Sequence, residues 1–276
     1  MTVRFREVLA RPLDLLRVLV TWKLEPTQDD LTGTEFIVQR SGGLAGPYKA
    51  ISAPLPGANQ FIDATAPRKH LFRNIAYQVV LRKPGPPVVI LSTSKPAVIA
   101  ADMDLISMEI VRQFRILHRR VTGRLCATFS IRDFGDRCTD CFNLTQKRET
   151  KSNCLTCFGT GFRGGYFDQV DAFIDFNPTP QSVDITEFGE MQQSDTIAWA
   201  TNYPPFKPRD LIVDPDERRW RVVAIRPIQP RGQLVQQFLQ LREIQVVDVE
   251  YKLPVVQPVA PDDPFVGAVR IGGSAL

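Results

Sequence analysis

Histidine is almost missing from this chain: His70 and His118 are the only two in 276 residues. A catalytic triad, a histidine pair or a His-rich metal site therefore has very little material to draw on. Long apolar runs are missing too. The longest, around Leu15 to Trp22 and Pro86 to Leu91, are strand-sized and fall short of the roughly 18 consecutive apolar residues of a spanning helix, so no membrane partner is expected. An excess of one charge is lacking: 34 Lys and Arg against 30 Asp and Glu leave a formal +4, too little over this length to bring the chain to nucleic acid by field alone. The N-terminus MTVRFREVLARPLD carries basic residues but neither a continuous apolar segment nor a small-residue cleavage site, and secretion by that route is not expected.

What the chain holds in quantity is backbone punctuation. Its 22 prolines and 17 glycines favour many short strands and turns over long helices, and 43% hydrophobic content suffices for two domains to bury a core each. The five cysteines include four within 20 residues, set as two C-x2-C pairs. That is metal-ligand spacing, not the dispersed pattern of a disulfide framework, and it implies a reducing compartment.

From Leu13 to about Ala100 the pattern alternates with period 2 between turn clusters. Leu16, Val18, Val20 and Trp22 share one strand face, and Phe36 and Val38 share the next. Further strands are expected over Pro47–Ile51, Phe61–Ala64 and Tyr77–Arg82, the last ending at Lys83-Pro-Gly-Pro-Pro87. The stretch from Val88 to Ile99 has no period of its own. Regularly spaced short strands predict a β-sandwich. The order Leu-x-Val-x-Val-x-Trp22, Phe36-Ile-Val-Gln-Arg-Ser41, Gly46-Pro-Tyr-Lys-Ala-Ile51, Phe61-Ile-Asp63, Tyr77-Gln-Val-Val80 resembles a fibronectin type III domain over about 85 residues. The resemblance implies a buried Trp22 on an early strand, Tyr77 at the corner of a late one, and a spacer or adhesive module without catalysis.

Between Asp102 and Val121 the period changes. Leu105, Ile106, Met108, Ile110, Val111, Phe114 and Leu117 recur at three- and four-residue steps, which predicts one amphipathic helix, capped by Asp102 and closed by Thr122-Gly123. Its apolar face is broad enough for burial on two sides, against the sandwich or another subunit. Arg112, Arg115, Arg119 and Arg120 suit the helix dipole or, alternatively, a nucleic-acid stripe.

Cys138-Thr-Asp-Cys141, twelve intervening residues, then Cys154-Leu-Thr-Cys157 is the sharpest signal in the chain. Two such turns complete a tetrahedral four-thiolate shell, for which zinc is the expected ion and an iron–sulfur cluster the alternative. Four protein ligands leave no open coordination position, so the expected role is structural. The spacer's Lys147, Arg148 and Lys151, with Phe142 the one aromatic for base stacking, keep a zinc-ribbon nucleic-acid factor open as a second reading. Cys126 reads as a buried small apolar residue. Gly159, Gly161 and Gly164 satisfy G-x-G-x-x-G formally, but a dinucleotide site needs a strand before and a helix after; the glycines read as turns close to the cysteine knuckle. Cys154 to Gly161 resembles the C-x-x-C-x-G-x-G repeat of DnaJ-type chaperones. This chain has one full repeat and no His-Pro-Asp tripeptide, which departs from that family.

After Tyr166 strands return. Val170, Ala172, Ile174 and Phe176 alternate, Thr196–Trp199 is a short strand, and Asp210–Val213 leads through Asp214-Pro-Asp-Glu217 into Arg219–Ile225 as a hairpin. Gln236–Leu241 and Ile244–Val249 complete a small β-barrel or sandwich, and Pro254–Leu276, with four prolines, reads as an extended arm. Asp171 and Asp175 are the carboxylate pair an enzyme reading would use, though they also fit a strand's polar face. Asp-Leu-Ile-Val-Asp-Pro, a charged turn, then Arg-Trp-Arg-Val-Val resembles small β-barrel proteins of bacteriophage necks, and C-x2-C modules followed by Gly-Thr-Gly-Phe and Gly-Gly-Tyr resemble zinc modules of tailed-phage structural proteins. Together these span about residues 100 to 253.

The expected architecture is mainly β. It comprises a fibronectin III-like sandwich with an N-terminal extension (1–100), a linking helix (101–123), a four-cysteine zinc module with Cys138, Cys141, Cys154 and Cys157 as ligands (124–165), a β-barrel-like domain (166–253) and a C-terminal arm (254–276). The phage resemblance implies a non-enzymatic virion component, assembled in the host bacterial cytoplasm. It would be a ring-forming neck protein or a baseplate or tail protein, contacting copies of itself, portal or adaptor and tail-completion proteins, and lying close to channel DNA.

Overall fold

The computed structural model describes residues 3–25, 31–66, 75–99, 104–143, 148–151, 153–177, 182–186, 189–193 and 195–259. The chain is mainly β, with one α-helix among these residues.

The N-terminal unit holds nine strands: β1 (Phe5–Pro12), β2 (Val18–Leu24), β3 (Glu35–Ser41), β4 (Lys49–Ala50), β5 (Leu55–Pro56), β6 (Gln60–Asp63), β7 (Ala76–Lys83), β8 (Val89–Thr93) and β9 (Ala97–Val98). β1, β2 and β6 form one sheet; β4, β3, β7 and β8 form the other, with β5 paired to β3 and β9 to β7. The alternating residues Val18, Val20 and Trp22 of the first sheet pack against Phe36, Val38, Tyr77, Val79 and Leu81 of the second in one buried cluster. The period-2 reading is right for these faces, except that Leu16 precedes the strand and is exposed. Trp22 packs on Phe36 with ring centroids 5.3 Å apart. The fully buried Tyr77 donates its hydroxyl to Asp63 at 2.9 Å, and Arg40 meets the same carboxylate oxygen at 2.6 Å.

The helix α1 spans Leu105–Leu117. Asp104 caps it, accepting from the Ile106 amide and the Ser107 hydroxyl at 3.3 and 2.6 Å. Asp104 thus holds the cap position for which the sequence suggested Asp102, a residue outside those described. A five-residue π-turn, His118–Thr122, follows, and Gly123 closes it as expected. The Gly123 amide bonds the His118 carbonyl at 2.8 Å, and a Cβ there would sit 2.4 Å from that oxygen. Ser107, Met108 and Val111 are the buried helix residues. Leu105 and Ile106 are 59% and 65% exposed, and Ile116, Leu117 and Val121 face outward as well. Of the two-sided burial expected, the described residues supply one side.

The C-terminal half closes a six-stranded, all-antiparallel barrel. Its strands are β10 (Arg124–Phe129), β13 (Val170–Asn177), β16 (Asp195–Thr201), β17 (Leu211–Val213), β18 (Arg219–Ile228) and β19 (Gln236–Glu243), hydrogen-bonded in the order β10-β13-β16-β19-β18-β17 and back to β10. Two short hairpins lie outside it, β11 (Phe142–Asn143) with β12 (Arg148–Glu149), and β14 (Ser182–Thr186) with β15 (Gly189–Gln193). Ile174, Ala198, Ala200, Ile212, Trp220, Val222, Leu239 and Leu241 fill the interior, and Cys126 sits among them as the small buried residue expected, its thiol pushed well up by burial.

Two expectations need correcting. The segment Ile244–Val249 is not a strand: the chain turns there, with the Asp248 amide on the Gln245 carbonyl, and enters a 3-10 turn over Val249–Lys252. The strand Arg124–Phe129, grouped by sequence with the cysteine module, pairs with β13 and β17 and belongs to the barrel. The cysteine module is thus the long connection between two neighbouring barrel strands.

Candidate metal centre

The connection begins by passing between the two β units. Phe134 and Phe167, 5.2 Å apart by centroid, join the buried cluster of the N-terminal unit, with Phe134 6.1 Å from Phe36. The Asp136 carboxylate accepts from the Leu31 amide and the Thr32 hydroxyl at 3.0 and 2.9 Å. On the other side Phe158 and Tyr166 pack with Phe129, Leu211 and Val213 of the barrel. Both ends of the module are anchored before any metal is considered.

Within it, Cys138, Cys141, Cys154 and Cys157 come together as the sequence spacing predicts: all four are buried, and their sulfurs lie within 4.8 Å of one another. The Cys138–Cys154 and Cys141–Cys157 sulfur pairs are 3.7 and 3.2 Å apart, and all four are free thiols. A tetrahedral ion with metal–sulfur bonds of about 2.3 Å sets sulfurs about 3.8 Å apart. The cage is of that size, so the donor set fits a tetrahedral metal.

Each C-x2-C turn aims its own amides at its first sulfur. At Cys154 burial works against the thiolate, yet the Cys157 and Thr156 amides bring the group down to about 7. At Cys138 burial prevails and raises the thiol, although the Asp140 and Cys141 amides oppose it; Cys141 is pushed well up by burial and by its thiol neighbours. Four thiols packed this tightly would need a cation to deprotonate together.

Backbone conformation holds the cage. Gly159, Gly161, Gly164 and Gly165 all have φ between +68° and +80°, the turn role expected of the first three. The Cys138 amide bonds the Gly161 carbonyl at 3.0 Å, the Gly164 amide bonds the Thr156 carbonyl at 2.9 Å, and the Thr160 amide and hydroxyl both donate to the Cys157 carbonyl. Gly165 passes close to the knuckle: a Cβ there would meet the Cys157 carbonyl oxygen at 2.7 Å. The Arg137 guanidinium lies between the Phe142 and Phe162 rings, 4.5 and 4.2 Å from their centroids. Phe142, the aromatic offered for base stacking, is therefore already covered on one face.

The other candidate residues are dispersed. Of the spacer's basic residues, Lys151 is exposed, Lys147 lies outside the described residues and the Arg148 side chain is not among those described. On the helix, Arg112 pairs with Glu109 at 2.7 Å. Arg115 turns inward to Asp14 at 2.8 Å and to Asn202 at 3.0 Å, tying the helix to the β1–β2 turn and to the barrel. Asp171 and Asp175 lie four residues apart on β13, about 13 Å at the usual strand rise, which is too far for carboxylates sharing one reacting bond. Asp171 accepts from Gln169 at 2.8 Å.

A group that sequence reasoning passed over is Asp210. Buried at the barrel's rim, it accepts from the Ile131 amide at 2.9 Å and the Lys207 amide at 2.7 Å. Burial outweighs these bonds and raises it to about 7. Its place at the start of the predicted hairpin was visible, but its burial follows from barrel closure, which no local pattern reports.

Among the described residues no helix is long and apolar enough to cross a membrane. No protein-family model and no curated protein matches the chain. A solved structure described as "Titin kinase and its flanking domains" aligns over 87% of this chain and 37% of that one, at 6% identity and a TM-score of 0.28. The chain spans a little over a third of that protein's length, and so loose an alignment carries no argument about fold or function.

Proposed function

We propose that this chain is a non-enzymatic structural protein of a tailed-phage particle, a ring-forming connector of the neck, with one structural zinc held by Cys138, Cys141, Cys154 and Cys157. The N-terminal unit is read as a fibronectin III-like module: its sheets β1-β2-β6 and β4-β3-β7-β8, with Trp22 and Tyr77 in the core, support that reading. Zinc is preferred because a closed, buried, four-thiolate cage offers no position for water or substrate.

The observation that carries the connector reading is the solvent-facing apolar side of α1. Leu105, Ile106, Ile116, Leu117 and Val121 stand outward on a helix whose opposite side is seated on the barrel, the arrangement of a subunit awaiting a neighbour. Portal or adaptor and tail-completion proteins are the partners this implies, in a virion assembled in the host cytoplasm, with channel DNA nearby and not gripped.

Particle imaging and mass measurement of the purified chain over a concentration series test this. Closed rings of fixed copy number are expected, and Ile106→Asp with Leu117→Asp should dissolve them. A chain that stays monomeric at high concentration and binds no portal or tail protein refutes the reading. Elemental analysis tests the metal separately, with one zinc per chain expected; stoichiometric iron or no metal overturns that assignment.

A further inference from the structure

His118 is one of two histidines in the chain, and neither the metal centre nor the connector reading uses it. It is 1% exposed and stands where α1 passes into the π-turn His118–Thr122. Its ring meets the Phe114 ring edge-on, with 6.3 Å between centroids, and bonds the Phe173 carbonyl of β13. Nδ1 is different: it is buried and meets no hydrogen-bond partner among the described residues. The imidazole therefore seats the end of the helix on the barrel through contacts that a neutral ring can make.

The backbone around the ring is clamped. The His118 amide donates to the Phe114 and Arg115 carbonyls, and the His118 carbonyl accepts the Gly123 amide at 2.8 Å. With both groups held, the ring reaches water only by leaving Phe114 and β13, the contacts that seat the helix end. A second ring proton would put an N–H donor at Nδ1 with no acceptor and a charge out of water, and both cost free energy. The charged groups on the elements packed around it do not offset that cost. On β13, Asp175 favours the charged ring, yet burial outweighs it and holds the imidazole below its ordinary 6.5; Asp171 accepts from Gln169. On β10, Arg124 pairs with Asp216 at 2.7 Å and the Cys126 thiol is kept neutral by burial. On α1, Glu109 and Arg112 pair with each other and Arg115 turns to Asp14. Arg119 and Arg120 of the π-turn add positive charge beside the ring.

We propose that His118 is an acid-sensitive latch: its neutral ring holds the C-terminal end of α1 on the barrel, and uptake of a proton loosens that end and the helix with it. The latch is fully effective above pH 6.5, where docked and released helix both carry a neutral ring, and weakens as pH falls below 6.5 because the released ring takes the proton more readily. At pH 5 the docking equilibrium loses at most about thirtyfold. The device belongs to the single chain and goes beyond the connector reading, whose failure would leave it standing.

The test is amide hydrogen exchange of the full-length chain at pH 7 and pH 5, each corrected for the intrinsic exchange rate at that pH. Protection over residues 108–117 is expected to fall several-fold at pH 5, within the thirtyfold bound, while β7 and β18 keep theirs. His118→Phe keeps an aromatic ring that takes no proton, so helix protection should be equal at the two pH values, whatever its level. Asp175→Asn should deepen the fall, because the docked ring loses the carboxylate that helps it hold a proton. In proton spectra the imidazole signal absent from His118→Phe should titrate below pH 6.5. A helix that keeps its protection at pH 5, or loses it only in step with β7 and β18, refutes the latch. So does a His118→Phe chain with the parent's pH dependence, or a His118 signal that titrates at or above 6.5.

Discussion

Replacing Gly165 with alanine tests whether the cysteine cage is held by backbone geometry as well as by metal. Gly165 sits at φ +68°, where a non-glycine residue costs about 1–2 kcal/mol. It also meets the knuckle: an added Cβ would lie 2.7 Å from the Cys157 carbonyl oxygen, 3.1 Å from its carbon and 2.9 Å from the Phe158 ring. The ring can yield, but the carbonyl already receives the Thr160 amide and hydroxyl. The peptide cannot tilt without breaking those bonds and displacing Cys157. The combined cost is about 2–4 kcal/mol. Felt at the metal site alone, 2 kcal/mol corresponds to about a thirtyfold loss of affinity. The assay is metal release to a coloured chelator, followed beside the denaturant midpoint, with Gly43→Ala as control because no atom lies within 4 Å of a Cβ built there. Faster release and a lower midpoint are expected for Gly165→Ala, and neither for Gly43→Ala. If the two variants release metal at the same rate and unfold at the same midpoint, the close approach of Gly165 does not support the cage.

Three further outcomes are expected. Stripping the metal with a thiol-reactive reagent and chelator should release one ion per chain and loosen exchange protection over residues 130–166, while β3, β7 and the barrel strands keep theirs; simultaneous loss in all three regions would mean that the metal holds the whole fold. Tyr77→Phe removes a buried donor to Asp63 while Arg40 and Thr65 remain bonded to it, and should lower stability by about 1–2 kcal/mol; an unchanged unfolding midpoint would refute that cost. Asp210 holds its proton up to about pH 7 when folded, against an ordinary value of 3.8, so folding takes up a proton between those values. Its contribution is fully present below about pH 4 and is lost as pH rises to 7, by on the order of 4 kcal/mol. Asp210→Asn should flatten the change between pH 5 and pH 8, and a variant with the slope of the parent would show that another group titrates there.

The residues that were legible in sequence are those whose pattern is local. Val18, Val20 and Trp22, or Phe36 and Val38, declare a strand face by alternation alone, and Cys138 to Cys157 declare a cage by spacing alone. What was missed depends on distant pairing or on exposure. β8 gave no period because Val88 to Leu91 is one continuous apolar run, of which Leu91 packs on the core while Val88, Val89 and Ile90 are exposed among the described residues. The hairpin β14–β15 was passed over because Gly189–Gln193 offers Met191 as its lone large apolar residue. The sequence reading placed the helix cap at Asp102, and the cap is Asp104, whose carboxylate meets the Ser107 hydroxyl. Closure of the barrel rests on β10 meeting β17, with Ala127 opposite Val213, a pairing across more than eighty residues that no window along the chain contains.

That closure also explains why the cysteine module can exist where it does. β10 and β13 are antiparallel neighbours, with Thr128 opposite Val170, so the chain leaves the barrel and returns to it at adjacent points, and the forty residues between are free of any duty to the barrel's hydrogen bonds. A connection of that length without a large apolar core of its own would be costly to order. Here the order comes from three sources: Phe158 and Tyr166 on the barrel, Phe134 and Phe167 on the N-terminal unit, and the four-cysteine cage between them. The first two tie the module to its neighbours and the third fixes its internal shape. The module is thereby a joint between two β units, with Phe134 and Asp136 bound to the N-terminal one and Phe158 to the barrel.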